Sequence, residues 1–259
     1  MVVSQAVLAI PLVLSLCWPV SSAAEAHQES RTLRIAAASH IKPAMDQLTE
    51  QFQARHPAVE VTLSYGSSGK LSAQIANGAP FDLFFSADMV YPDYLSQQGL
   101  AASEVRPYAV GRLVLWHRGT ETPRLNQFAV DGSQRLAIAN PRHAPYGQRA
   151  QEFLESKGLW EPLQPSLVFG ENVSQAAQFV HSGAADLGIL ALALALNPAL
   201  QSTGSYTPID PGLHKPLNQG YVVTLEGANN PAVTEFVRFL DSAGADATLR
   251  QFGFSVPQR

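Results

Sequence analysis

Two serines followed at once by a lysine, in Ser67-Ser68-Gly69-Lys70, offer the most direct chemistry in this chain. Ser67-x-x-Lys70 sets a lysine one helical turn from a serine hydroxyl, the spacing by which serine acyl-transferases activate a nucleophile. Their companion Lys-Thr-Gly and Ser-Asp-Asn motifs do not occur in the chain. As a phosphate loop the stretch also fails, because Ser64 stands where the earlier glycine belongs and Leu71 where Ser or Thr would bind magnesium. The second chemistry needs only hydrogen bonds. A helical pattern starts at these serines, with Leu71 and Ile75 on one face, and stops at Asn77-Gly78. The first N–H groups of a helix lack internal partners and carry partial positive charge, so such a start can hold an anion without arginine. The plainer expectation is that Ser68 caps this helix.

The elements that position these groups alternate regularly. Residues 32–38 read as a strand ending at Ser39-His40; Pro43 then suits a first helical turn, with Ile41, Met45, Leu48 and Phe52 at helical spacing. Residues 59–65 form a second strand and 82–87 a third, which gives β-α-β-α-β and hence a parallel sheet with helices on its faces. Ligands of such sheets sit beyond the carboxyl ends of the strands, where Ser39 and Ser68 both fall. Residues 91–100 read as a helix. An apolar strand over 109–117 then begins a second round: strand 135–139, helix 145–157, a strand near Leu167, helix 172–181 and strand 186–190. Two of its helix starts, Ala144-Pro-Tyr-Gly147 and Glu171-Asn-Val-Ser174, again put amides at a strand end. Residues 191–200 read as core packing or a short helix, 221–225 as a strand, and Pro231 opens a helix with Val233, Phe236, Val237 and Leu240 on one face.

Composition narrows the class. With 259 residues, 46% hydrophobic, the chain can bury one large or two moderate cores, and a net charge of −4 with scattered Lys and Arg leaves no basic stripe for nucleic acid. An anion would therefore be held by local dipoles. Residues 1–26 read as a secretory signal: the apolar run 6–20 falls short of the ~20 residues of a membrane span and is followed by Ser21-Ser-Ala-Ala-Glu-Ala26. The single cysteine, Cys17, lies inside it, so the secreted chain would carry no thiol; Leu16 before it is too bulky for a lipid-attachment signal. Neither a His/Cys cluster for a cation nor a tyrosine cluster for ferric iron is evident. Asp82 and Asp88 are expected to be loop or hinge hydrogen-bond partners, Lys70 to be solvated, and His40 to contribute its backbone rather than its ring.

Ile35-Ala-Ala-Ala-Ser39, Gly66-Ser-Ser-Gly69 and Gly78-Ala-Pro-Phe-Asp-Leu-Phe-Phe-Ser-Ala-Asp88 resemble the periplasmic molybdate-binding proteins of bacterial ABC importers. Asn140-Pro-Arg-His-Ala-Pro-Tyr-Gly147, Glu171-Asn-Val-Ser174 and Gln251-Phe-Gly-Phe254 are similar to them as well. The resemblance implies a two-lobed α/β binding protein, each lobe a mostly parallel sheet flanked by helices, joined by a two-segment hinge. Lobe 1 is then expected to comprise residues 29–110 and 226–259, and lobe 2 residues 111–225, with the hinge near 108–111 and 225–227. It implies a monomer in the periplasm that binds molybdate or tungstate and delivers it to a membrane permease, with no catalytic residue and no cofactor. The family's contacts carry over to Ser39, Ser68, Tyr146 and Val173, all to oxygens of the oxyanion and none to the metal, and His40 joins the expected site by its place beside Ser39. One branch of the family supplies a tyrosine where this chain has Ala191, so Tyr146 is expected to take over the phenol role. Binding of another tetrahedral oxyanion such as sulfate is the alternative, with acyl hydrolysis at Ser67 and Lys70 the more distant one.

Overall fold

Strand β1 (Arg31–Ala38) ends in four consecutive buried residues, Ile35 to Ala38, the pattern of a strand covered on both faces. It is the second of five strands in one sheet of a computed structural model that describes residues 1–2, 31–129 and 131–257; the expected leader from residue 3 onward, with Cys17, lies outside them. A 3-10 turn, Ser39–Ile41, leads from β1 into α1 (Lys42–Arg55), followed by β2 (Val59–Gly66), α2 (Ser68–Ala76), β3 (Leu83–Ser86) and α3 (Val90–Gln97). The strands β4 (Arg106–Gly111) and β5 (Leu113–Arg118) come next. The second round is β6 (Leu136–Ala139), α4 (Pro145–Ser156), α5 (Trp160–Leu163), β7 (Leu167–Gly170), α6 (Val173–Ser182), β8 (Leu187–Ala191), α7 (Leu192–Ala195), α8 (Pro198–Gln201) and β9 (Gly204–Pro208). The chain closes with β10 (Leu217–Val223), α9 (Pro231–Leu240) and α10 (Ala243–Gln251).

These strands form two five-stranded sheets, ordered β2-β1-β3-β10-β4 and β7-β6-β8-β5-β9. In each, three strands run parallel: β2, β1 and β3 in the first, β7, β6 and β8 in the second. An antiparallel strand joins each set, β10 beside β3 and β5 beside β8. Helices cover both, so the chain is the two-lobed α/β structure its alternating pattern implied. Among the described residues no helix is long and apolar enough to cross a membrane.

The expected boundaries need correcting at two places. Residues 109–117 do not form one strand: β4 ends at Gly111 in the first sheet, and β5 begins at Leu113 in the second. Residues 217–223, expected in the second lobe, form β10 in the middle of the first sheet, so the return crossing runs through residues 209–216 rather than near Leu225. Hydrophobic pattern reports a strand but not which sheet adopts it, and an antiparallel strand inserted between two others has no local signature. The five residues of β9 went unread because this half-exposed edge strand carries no apolar alternation.

The tail returns to the first lobe, as the helical face of α9 required. Asn230 caps α9 by accepting Ala232 N–H, Pro231 occupies its first turn, and Val233, Phe236, Phe239 and Leu240 are buried. Phe236 meets Phe52 of α1 edge-on at 5.0 Å and Phe85 of β3 at 6.4 Å. Beyond α10, Val110 of β4 and Ser255 exchange both backbone hydrogen bonds, which pins the tail beside the hinge. Replacing Phe236 by Ala is expected to cost roughly 3–5 kcal/mol in chemical denaturation, since the ring is fully enclosed. A loss below about 1 kcal/mol would mean that the tail is not part of this core.

Candidate functional site

The carboxyl ends of β1, β2, β6 and β7 point toward the junction of the two sheets, and each is followed by a turn or helix start: Ser39-His40, Ser67-Ser68, Ala144-Pro145-Tyr146 and Asn172-Val173. Residues from all four segments line a single small cavity at that junction, with a volume of about 10 Å³, and no Lys, Arg, Asp or Glu is among them. Pockets for drug-sized ligands start near 300 Å³. This one suits a small ion.

Its polar groups share one orientation. Ser68 is fully buried, and its Oγ accepts Ala87 N–H at 3.0 Å, so the hydroxyl proton is left to be donated. Tyr146 Oη accepts Gln219 Nε2–H at 3.3 Å with the same consequence, and burial pushes its pKa up, which keeps the phenol protonated. Ser39 is buried; its carbonyl accepts Ser174 Oγ–H at 3.0 Å and its Oγ faces Ser174 N–H at 3.4 Å. The helix starts add backbone donors. Asn172 caps α6 by accepting the N–H groups of Ser174 and Gln175, which leaves that of Val173 as a first-turn donor without an intrahelical carbonyl. Pro145 has no N–H, so Tyr146 supplies the first one of α4. The lining therefore presents neutral N–H and O–H donors, a set that fits an anion lacking any proton of its own.

Charge sits outside this cavity, at the seam between the lobes. Lys70 Nζ of α2 pairs with Glu171 Oε1 at 3.1 Å, and Arg149 of α4, only 7% exposed, lies 3.6 Å from Asp88 Oδ2, which follows β3. His143, in the loop before α4, meets two groups at the start of α2: Ser67 Oγ, at the cap position, lies 2.8 Å from its Nδ1, and Gly69 N–H donates to its carbonyl at 2.9 Å. Burial, followed by the charge of Lys70, lowers the pKa of His143, with Glu171 acting in the opposite direction. Gly69 is required there, since a Cβ would stand 2.8 Å from the His143 carbonyl oxygen. These contacts hold the two lobes together around the cavity.

Ser39, His40, Ser68, Tyr146 and Val173, the residues expected at the site, all line this one cavity. Other expectations change. Ser68 does not cap α2; Ser67 occupies the cap position without a side-chain bond to the helix, because its hydroxyl is spent on His143. Lys70 is not simply solvated but half-exposed and paired across the seam. It points to Glu171 while Ser67 points to His143, so the Ser-x-x-Lys pair is not assembled as a nucleophile and base. His40 brings its ring and not only its backbone: it is buried, with Nε2 at 2.9 Å from Gln219 Oε1 and its ring centre 4.9 Å from that of Tyr146. Asp82 and Asp88 act as expected, accepting the N–H groups of Arg34 and Val90. Gln219 and His143 were missed. Both act through contacts far apart in sequence, and the only local hint was the glycine at position 69.

The family described as bacterial extracellular solute-binding protein matches residues 33–255 of the chain. The molybdate-binding protein ModA of Azotobacter vinelandii is 32% identical over 231 residues, covering 88% of this chain and 91% of that protein. That of Rhodobacter capsulatus is 34% identical over 198 residues, covering 75% and 77%. The solved structure of the Azotobacter vinelandii periplasmic molybdate-binding protein superposes with a TM-score of 0.81 at 34% identity, over 87% of this chain and all of that one.

The seam predicts a simple experiment. Gly69→Ala pushes a methyl group against the His143 backbone and should prop the lobes apart, so small-angle scattering should report a larger radius of gyration than for the parent protein. Superimposable scattering curves would show that the loop yields without separating the lobes.

Proposed function

Because the chain belongs to the bacterial extracellular solute-binding proteins, we propose that it captures molybdate, and tungstate with it, between its two lobes and delivers the ion to the permease of an ABC importer. Its role is transport, not catalysis, and the oxyanion is a ligand rather than a cofactor. The observation that carries the ion class is the polarity of the cavity: Ser68 and Tyr146 each accept an N–H and keep a proton to give, and no carboxylate lines the site to receive one. Molybdate and tungstate are fully deprotonated tetrahedral dianions at neutral pH, so hydroxyl and amide donors suit their oxygens. A hydrogenphosphate would find no carboxylate in the lining to accept its proton. The names of the relatives favour molybdate over sulfate, which shares its charge and shape.

Ser39, His40, Ser68, Tyr146 and Val173 are the residues we assign to the ion, with the hydroxyls of Ser39, Ser68 and Tyr146 and the amides at the starts of α4 and α6 bonding its oxygens. Ala191 ends β8 as a buried small residue and offers no phenol, which leaves that role to Tyr146. Because these groups divide between the lobes, the ion stabilises the closed arrangement by touching both. Secretion to the periplasm through the N-terminal segment, and action as a monomer, complete the reading; nothing in the charge pattern suits nucleic acid.

Titration calorimetry with molybdate, tungstate, sulfate and phosphate tests the assignment: the first two should bind with similar strength and the last two should not. Tight sulfate binding would sink the ion and leave the fold intact. Ser68→Ala should cost roughly 1.5–3 kcal/mol of binding, as for other hydrogen bonds to charged groups, because a dry oxygen loses its donor. Val173→Ala should cost far less, as its amide remains, and Lys70→Ala almost nothing, since a half-exposed ion pair adds little. Tyr146→Phe should match Ser68→Ala. An unchanged affinity for Tyr146→Phe would mean that only the amide is used.

A further inference from the structure

One polar atom of the site breaks its common polarity. His40 Nδ1 is buried without a hydrogen-bond partner, on a residue that lines the cavity and whose ring centre is 4.9 Å from that of Tyr146. The other ring nitrogen, Nε2, is engaged by Gln219 Oε1 at 2.9 Å and faces Tyr108 Oη at 3.5 Å, and neither of those residues lines the cavity. The tautomer follows from this chain of bonds. Tyr108 must spend its proton on the Ser86 carbonyl, 3.2 Å away, because a carbonyl only accepts; its oxygen therefore turns a lone pair toward His40 Nε2. Nε2 must carry the hydrogen, Gln219 Oε1 accepts it, and Gln219 Nε2–H is directed to Tyr146. Nδ1 is left as a bare lone pair, the wrong polarity for an oxygen of a dianion.

We propose that the site is completed by a proton: when the dianion enters, His40 takes one from solvent on the Nδ1 lone pair and donates it as a hydrogen bond to a ligand oxygen, while Gln219 holds Nε2–H in place. The proposal rests on the molybdate reading and assigns the ring of His40 a role of its own. Without the ion, burial holds the imidazole neutral, with its pKa lowered to about 4 against the opposing bond to Gln219. A dianion alongside favours the charged form and raises that pKa, so binding and proton uptake are linked across the interval between the two values. Few groups compete for this effect. The titratable side chains against His40 are the phenols of Tyr108 and Tyr146, both raised by burial and neutral, while Gln219 and Phe254 carry no charge. Of the helices packed on its turn, α6 presents Val173 and Ser174, α7 consists of Leu and Ala, and the nearest charges of α1, Lys42 and Asp46, are exposed and paired with each other at 2.8 Å.

The sign is definite. Uptake of a proton makes affinity rise as pH falls, by up to about tenfold per unit, from the raised pKa of the loaded ring down to its free value of about 4. Calorimetry of the whole protein with molybdate, repeated in buffers of different ionisation enthalpy, should report net proton uptake that grows toward pH 6, and His40→Asn should abolish the uptake. NMR of the parent protein with isotope-labelled histidine gives a reading that does not depend on the variant folding: one bare ring nitrogen at His40 in the free protein, two protonated ones in the loaded protein. Molybdate binding with no proton uptake, or a ring that keeps its bare nitrogen when loaded, would overturn the proposal and leave the ion assignment standing. A protein that binds no molybdate at any of these pH values would overturn both.

Discussion

A cavity in which the hydroxyls of Ser68 and Tyr146 already accept hydrogen bonds is the constraint from which the rest of this structure follows. Water can satisfy an oxyanion from any direction, but once the site is dry each ligand oxygen depends on donors that are fixed in place. Serine and tyrosine hydroxyls are ambivalent, and left alone they rotate. Here Ala87 N–H occupies the lone pair of Ser68, and the Gln219 amide occupies that of Tyr146, so both protons are aimed before any ligand arrives. A buried donor without a partner costs about 1–3 kcal/mol, which is recovered only when an acceptor enters. The doubly wound arrangement supplies these donors because strand ends and helix starts converge where the two sheets meet.

Charge is handled by exclusion. An arginine in the cavity would attract any anion, whereas neutral donors at fixed positions discriminate by geometry and by protonation state. The cations nearest the seam are committed elsewhere, Lys70 to Glu171 and Arg149 to Asp88 and Glu152. Because the pairs Lys70–Glu171 and Arg149–Asp88 join one lobe to the other, they favour closure from outside the cavity. The exposed pair contributes at most about 1 kcal/mol. That small contribution suits a binding protein, since lobes latched too firmly would close empty and deny the ion the deciding share of the energy.

Much of this was legible in the chain because helix starts announce themselves. Pro43, Pro145 and Pro231, Asn172 before Val173, and glycines after helix ends mark where backbone donors become free, and the β/α alternation places those starts at one end of a sheet. Ser39, Ser68, Tyr146 and Val173 were found in that way, together with a family resemblance. What could not be read was every decision made by distant packing. Ser67 rather than Ser68 stands at the cap, and its hydroxyl is diverted to a histidine 76 residues away. His40 is oriented by a glutamine 179 residues away, on a strand whose sheet the pattern could not assign.

That strand ties recognition to the hinge. Gln219 lies where the register of β10 against β4 shifts, and a Cβ at Gly111, the last residue of β4 before the chain crosses to the other lobe, would collide with both Tyr146 Oη and the Gln219 amide. The phenol belongs to the second lobe and the amide that orients it to the first. Swinging the lobes apart therefore separates Tyr146 from Gln219 and releases the phenol proton from its fixed direction, while Ser68 keeps its bond to Ala87 within the first lobe. An open form would keep only part of the donor set, and the full set would exist only with the hinge closed. Affinity and closure are then one event, because the last hydroxyl is aimed by the same contact that brings the lobes together.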